Sequence, residues 1–595
     1  MQDKLPQTGQ QTFTNLSLAE LRHAIKARAD DLKSANSWNL EEVLDYLVAL
    51  PDGAHKSDSV DAFTQLARNF FYAGRFDKML EAASYGSRFS RTIGDKFQLA
   101  RARDKEGAAL LYLGRFAEAT IAEAEVWLLA RELSDLRLEM FAIWAMGDIC
   151  TAMGQWNEAI RYYRRVHQLA EEVGAADYEI AGRTLIAECA IQLRNPDLGL
   201  QALSMVAAHP PPKRTDTVIH GGALAALTHL YLQIGDVTTA REFSERAMCA
   251  AVLGDDPMTI QKCHASKALV SVRSGNVEDG LAALKQCLAT ARSKFPTLVP
   301  GFLNMCIDAY EAAGLPDTSL AHLQELVDWK RTWIEAAVIP HQYVELPQPP
   351  MTPTLDAASD QGLIAKSHFL HAGIRYRVQG LVETAVNAEL ARGHGIYRIF
   401  RVSRLATQLA EFVGWNQERI SEVTLGARLC SVGMLAVPSN LLQKSSELSD
   451  VERQLIRDHS RYGGELLRRS NLRLLEMGAL IAEQFRERYD GSGYPRGLRG
   501  DAIIEEARLV SVCDAFDAMT HSRPWRSTVR SSEAALQELR KCAGSQFDPS
   551  FVEAFIDSFR RELSGRADLD IFLAREAEEF EYVRARARME ASLKY

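Results

Sequence analysis

The sequence predicts an all-α protein in which a long helical-repeat solenoid precedes a separate helical domain. Three observations carry this reading. A turn pattern recurs about every 40 residues through the first half. Residues 340–354, PHQYVELPQPPMTPT, then carry five prolines and cannot continue a helix. Beyond them the apolar periodicity stays helical, the repeat stops, and one glycine-rich loop at 487–500 breaks the pattern.

Composition narrows the class. Of 595 residues 47% are hydrophobic and 25% charged, which supports a packed globular chain. Lys plus Arg number 69 against 78 Asp plus Glu, a formal charge of −9. That balance lacks the basic footprint of a general nucleic-acid binder. The N-terminal stretch MQDKLPQTGQQTFTN has no basic or apolar leader character. No run reaches the roughly 18–20 apolar residues that span a bilayer. Nine cysteines without a CxxC pair read as reduced thiols. The expectation is a cytoplasmic protein with no nucleic-acid or membrane partner.

Taken in order, residues 1–55 read as an N-terminal helical cap or a partly disordered segment. Residues 56–338 are the solenoid, 339–360 the proline-rich linker, 361–562 the second domain with a lead-in helix, and 563–595 a charged C-terminal helix. In the solenoid the turn positions are Gly74, Gly114, Gly154, Arg194, Gly235, Gly275 and Gly314. An apolar residue follows two positions later: Phe76, Phe116, Trp156, Pro196, Val237, Val277, Pro316. Five positions after the turn the residue is small, from Ala119 to Ser319, with Met79 the exception. Glycine ends one helix at low cost, the apolar residue seats the next, and the small residue lets the two backbones approach. Each pair must bury its apolar face on a neighbour. The pattern resembles the tetratricopeptide repeat family in a version longer than 34 residues. That resemblance implies a concave face for a protein partner, with a purely architectural role as the alternative. Arg194 breaks the glycine series, so its turn is expected to be built differently.

The second domain holds the most specific strings: ERYDGSGYPRGLRG at 487–500, ARLVSVCDAFDAMTHSRPWR at 507–526 and FDPSFVEAF at 547–555. These resemble the HD-GYP family, a branch of the HD phosphohydrolases. The resemblance implies a helical signalling domain that hydrolyses cyclic di-GMP with two or three metal ions. Carried over residue by residue, most ligand positions are substituted. Arg398 stands for the first-helix histidine. Cys430, Ser431, Val432, Gly433 and Met434 stand for HDxGK, and Phe485 and Arg486 for the paired histidines. His459 and Asp514 match, and His394 falls where three-metal members have glutamate.

Two fixed guanidiniums beside divalent ions are unfavourable, so the expectation is a degenerate domain, catalytically inactive and without a metal cofactor. It would act through protein–protein interactions in cyclic di-GMP-linked regulation. One alternative is a non-hydrolytic cyclic di-GMP sensor using Arg398, Arg486, Tyr494, Arg523 and Arg526. Another is a residual phosphohydrolase with a single metal at His394, His459 and Asp514. A blander reading has Arg398 and Arg486 pairing with acids such as Glu487 or Asp490. The resemblance also makes Asp490, Gly491, Gly493, Tyr494 and Pro495 a docking loop for a GGDEF-type diguanylate cyclase. Asp490–Pro495 can equally be a structural turn, and a homodimer is a candidate assembly. The C-terminal helix reads as solvated, with i,i+4 ion pairs, packed on the bundle or on a partner.

Overall fold

The structure, a computed structural model, describes residues 40–49, then 57–338 apart from 209–215, 255 and 296–297. It further describes 378–593 apart from 379, 391, 393, 443–446, 471, 522–528 and 567. The proline-rich linker, most of the expected lead-in helix, and Arg523 and Arg526 lie outside the described residues. Among the described residues there is helix and no strand; a lone bridge joins Ala543 and Phe547. Among the described residues no helix is long and apolar enough to cross a membrane. The chain divides into two compact units. Met1–Ile149, Gln168–Gly174 and Arg588–Tyr595 form one, and Cys150–His167 with Ala175–Ala587 the other.

The repeats are helix pairs, from Ser57–Tyr72 with Phe76–Ile93 to Val299–Ala312 with Pro316–Val338. The second helix of each pair begins on the apolar residue named above. Their turns share one mechanism. At Gly235 (φ +84°) the N–H donates to Leu232 O at 3.2 Å, and the Asp236 N–H reaches back to Tyr231 O at 2.9 Å. This is the left-handed stop that satisfies the last carbonyls of a helix. Arg194 corrects the expectation of a different turn. It takes φ +50° itself, with Arg194 N to Ile191 O at 3.1 Å and Asn195 N to Ala190 O at 3.0 Å. Packing on both sides dictates the turn, so the side chain accepts the strain. The small-residue rule holds where it matters: a Cβ on Gly280 would stand 2.8 Å from Ala268 O and from Val272 N.

The second domain begins with a helix over 380–390 and runs through Arg398–Phe412, Gln417–Leu429, Asp450–Arg457, His459–Arg469, Glu476–Gln484, Glu505–Thr520, Ser532–Lys541 and Pro549–Glu562. Side-chain caps set several starts: Asn416, Ser449 with Glu452 in a capping box, Ser531, and Asp548 before Pro549. Val402, Leu405, Leu409, Ile420, Leu509, Val512 and Phe516 form the core with Phe555 and Phe559. Phe516 meets those two rings at 5.1 and 4.9 Å. This core fixes Arg398–Phe412 against Glu505–Thr520, and the site lies between them.

The C-terminal helix is not simply solvated. Glu581–Ser592 buries Tyr582, Val583, Arg586 and Met589, one face at helical spacing, while Arg584 and Arg588 stay exposed.

Candidate functional site

Two helices contribute matched pairs at i,i+3, which puts each pair on one helix face. Arg398 and Arg401 come from one helix, and Asp514 and Asp517 from the other. Arg398 Nη2 bonds Asp514, and Arg401 Nε meets Asp517 Oδ1 at 2.7 Å. Arg398 also reaches Glu389 Oε1 at 2.7 Å, and its Nε lies 3.7 Å from Asp517. Glu389, at the end of the 380–390 helix, accepts from His394 and lies 3.4 Å from Arg392. Arg486 stands 3.3 Å from Asp514 and stacks over the Phe485 ring at 4.5 Å.

Among the described residues this cluster joins three carboxylates to four guanidiniums, one positive charge in excess. Burial disfavours both signs of charge; pairing prevails at Glu389, Arg398 and Arg486, whereas burial lowers Arg392 to about 10. Against burial, Arg398, Arg392 and His394 hold Glu389 well below the usual carboxylate range. Burial would lower Arg398, yet Glu389, Asp514 and Asp517 raise it. The imidazoles respond differently. Burial takes His394 down to about 4, and burial together with Arg486 takes His459 to about 3, so both are neutral at pH 7. Burial pushes the Cys430 thiol up to about 12, aided by Asp514.

Each sequence-predicted position can now be placed. Cys430 and Ser431 are buried, and Cys430 Sγ lies 3.3 Å from Ala427 O. Met434 belongs to the 3-10 turn Val432–Ala436. A Cβ on Gly433 there would stand 2.1 Å from His459 O, so the turn is pressed onto helix His459–Arg469. His459 Nδ1 lies 2.8 Å from Ile456 O, and its ring meets Phe485 at 6.1 Å and Tyr494 at 6.2 Å.

Arg398 and Arg486 do pair with acids, but with Glu389, Asp514 and Asp517 rather than Glu487 or Asp490. The reason is local. Glu487 is consumed by the glycine-rich loop, taking the Arg496 N–H at 2.8 Å and the Leu498 N–H at 3.1 Å. Asp490 accepts from the Ser492 N–H at 2.9 Å. In that loop Gly491 has φ +85°, and a Cβ on Gly493 would stand 2.3 Å from Arg488 N. Tyr494–Pro495 is a cis peptide, and both residues are half-buried.

The sequence reading missed Glu389, Arg401 and Asp517. Asp517, three residues after Asp514 and facing a helix with arginines also three apart, was open to discovery from spacing. Glu389 was not, because a helix end and a turn bring it in. A cleft of about 330 Å³ opens beside Asp514, lined by Phe485, Arg486, Arg488, Asp514, Arg530 and Phe547. Arg488 and Arg530 also escaped the sequence reading: Arg488 stands inside the 487–500 string but was given no role, and Arg530 lies beyond the quoted strings.

A family model described as HD domain matches residues 380–551. This segment is an HD domain. A tetratricopeptide repeat model matches residues 142–175. The chain is 41% identical over 170 residues to the cyclic di-GMP phosphodiesterase response regulator RpfG of Xanthomonas campestris, covering 29% of this chain and 43% of that protein. It is 36% identical over 169 residues to a cyclic di-GMP phosphodiesterase of Thermotoga maritima, covering 27% and 46%. A 3'3'-cGAMP-specific phosphodiesterase 2 of Vibrio cholerae is 30% identical over 209 residues, 35% and 40%. The chain thus spans less than half the length of these relatives. A Rap protein complexed with competence and sporulation factor aligns over 56% of this chain and 90% of its own, at 14% identity and a TM-score of 0.44.

These relatives correct two expectations. The reading of the HD domain as no enzyme is withdrawn, because its relatives at 30–41% identity are named phosphodiesterases. The expectation of no metal cofactor is withdrawn too, since phosphodiesterases of this domain type are metal-dependent.

The residues in this arrangement do not fit a pair of ions. His394, His459 and Asp514 do not gather within metal-ligating reach of one another among the described residues. Asp514 is shared by Arg398 and Arg486. A divalent ion about 5 Å from a guanidinium meets roughly 7 kcal/mol of repulsion at an effective dielectric near 20.

Proposed function

We propose that this chain acts in cyclic di-GMP signalling, with its HD domain taking the dinucleotide in the cleft beside Asp514 and its repeats engaging a protein partner. The observation that carries the reading is the cleft itself, whose lining brings Arg486, Arg488 and Arg530 together with Phe485 and Phe547, beside the acids Glu487, Asp514 and Glu538. Guanidiniums bind phosphodiester oxygens through paired N–H groups, and aromatic side chains suit purine faces. The surplus positive charge of the adjoining cluster favours a doubly anionic ligand. The residues that build this cleft fall within the match to the HD-domain model at 380–551, and the relatives named for cyclic di-GMP match a stretch of similar length.

Of the ligand residues read from sequence, Arg486 lines the cleft. The Tyr494 N–H donates to Arg486 O at 3.3 Å, its ring meets His459 at 6.2 Å, and the Arg457 guanidinium lies over it at 5.4 Å. Arg398 is buried in the ion cluster and supports Asp514 instead. The loop Asp490–Pro495, braced by Glu487, is the surface this reading assigns to a cyclase of the GGDEF type.

Calorimetric titration of the full chain with cyclic di-GMP tests the proposal. Binding in the micromolar range is expected, weakened about tenfold or more by Arg530→Glu, a loss of at least 1.4 kcal/mol. Absence of heat with the wild-type chain at tens of micromolar would sink it. Chromatography of the same sample after adding manganese or iron reads turnover.

A further inference from the structure

The turn of the third repeat differs from its counterparts. Met153 and Gln155 are each 2% exposed, whereas Ile234, the counterpart of Met153, is 49% exposed. At the position of Gln155, Arg75, Asn195, Asn276 and Leu315 are exposed. The same motif is therefore covered in one repeat and open in others, and the cover belongs to this chain. Arg586, fully buried on the C-terminal helix Glu581–Ser592, donates from Nη2 to Gln155 Oε1 at 2.7 Å. Its guanidinium lies 5.8 Å from the centre of the Tyr162 ring. One turn earlier on that face, the Tyr582 hydroxyl donates to Asn387 Oδ1.

A long flexible arginine sunk in an otherwise apolar helix face is a costly choice for mere packing. Leucine or methionine would fill the same volume without desolvating a charge. What arginine supplies is recognition: a fixed donor fork that must meet an acceptor at one position, here the Gln155 amide oxygen, beside an aromatic face. Buried arginine and tyrosine anchors are typical of separable interfaces rather than of domain cores.

We propose that the third repeat is a receptor for an arginine-bearing amphipathic helix, that Glu581–Ser592 is its resident occupant in cis, and that a protein partner presenting such a helix displaces it. Recognition requires the arginine at the centre of an apolar face flanked by an aromatic residue four positions before and an apolar residue three after, as in Tyr582, Arg586 and Met589. Displacement also parts Tyr582 from Asn387, two residues before Glu389, so the HD domain senses occupancy. The receptor itself does not depend on what the HD domain binds.

The test uses the full chain and a fluorescein-labelled peptide copying residues 576–593, followed by fluorescence anisotropy. Arg586→Ala in the chain loosens the resident helix, and the peptide should then bind at least about tenfold more tightly than to wild type. A peptide carrying Arg586→Ala should bind at least about tenfold more weakly than the parent. Adding Gln155→Ala to the opened chain should cost a similar factor. Equal binding to the wild-type and Arg586→Ala chains, or equal binding of the two peptides, overturns the proposal. If Arg586→Ala loses native circular dichroism, Tyr582→Phe serves as the opening variant, with the same expected gain. Sedimentation of the wild-type chain should show a monomer with or without peptide. A dimer that the peptide dissociates would place the resident helix in a second copy and overturn the assignment in cis.

Discussion

At the scale of single residues, Arg398 decides the character of the HD site. It is the shared cation of Glu389, Asp514 and Asp517. Removing it leaves buried carboxylates facing each other, a defect that typically costs about 3–5 kcal/mol. Arg398→Ala should therefore lower urea-unfolding stability by about that amount, whereas Arg401→Ala, with fewer acid partners, should cost less. The neutral histidines give a pH signature. Unfolded, His394 and His459 bind protons below about pH 6.5; folded, they do so only near pH 4 and pH 3. The unfolded state then holds more protons, so stability falls as pH drops through that window. From pH 6.5 to 5 the loss should be about 2 kcal/mol for each histidine. Glu389, depressed by its cations, adds a loss of the same sign below the ordinary carboxylate range. Urea midpoints that do not move between pH 7 and 5 would count against this account.

At the scale of elements, the repeat turns are legible in sequence because their physics is local. A left-handed stop wants glycine whatever surrounds it. Gly235 has no atom within 4 Å of a built Cβ, so Gly235→Ala should cost about 1 kcal/mol from backbone strain alone. Calorimetric unfolding of the variant would read it. Arg194 shows the limit of such reading, since tertiary packing imposed the same φ on a residue that disfavours it. A second departure lies in the repeats. Glu123 is wholly buried over Gly107, and burial with Asp104 raises its pKa well above the carboxylate range. A raised acid stabilises at low pH and loses that contribution as pH climbs through the unfolded value, opposite to the HD cluster. Glu123→Gln should raise stability at pH 7 by about 1–3 kcal/mol and leave it nearly unchanged at pH 4. No motif marks this carboxylate, because its cost arises only when helices Lys96–Tyr112 and Phe116–Leu133 close over it.

At the scale of the whole molecule, the tail is more than an appendix to the HD domain. Arg404 lies 5.1 Å from the Phe572 ring, Arg428 pairs with Glu576, and Phe400 meets Phe580 at 5.2 Å. Tyr582 and Arg586 then continue to Asn387 and Gln155. Tyr582→Phe should cost about 1–2 kcal/mol by leaving a buried amide oxygen short of a donor. Amide exchange should then rise across 581–592 while the Leu405 and Phe516 core stays protected. Read as sequence, this segment showed only alternating charge at helical spacing. Its buried face depends on which arginine of three meets the Gln155 amide oxygen, more than 400 residues away.

The all-α class, the 40-residue beat and the HD strings followed from the chain alone, because each is a short-range pattern of side-chain size, backbone freedom or residue identity. The partners of Arg398, the arginine-lined cleft and the seat of Arg586 were decided only by tertiary structure. Those are pairings between distant segments, where burial makes the choice of neighbour worth several kcal/mol and no local pattern records it.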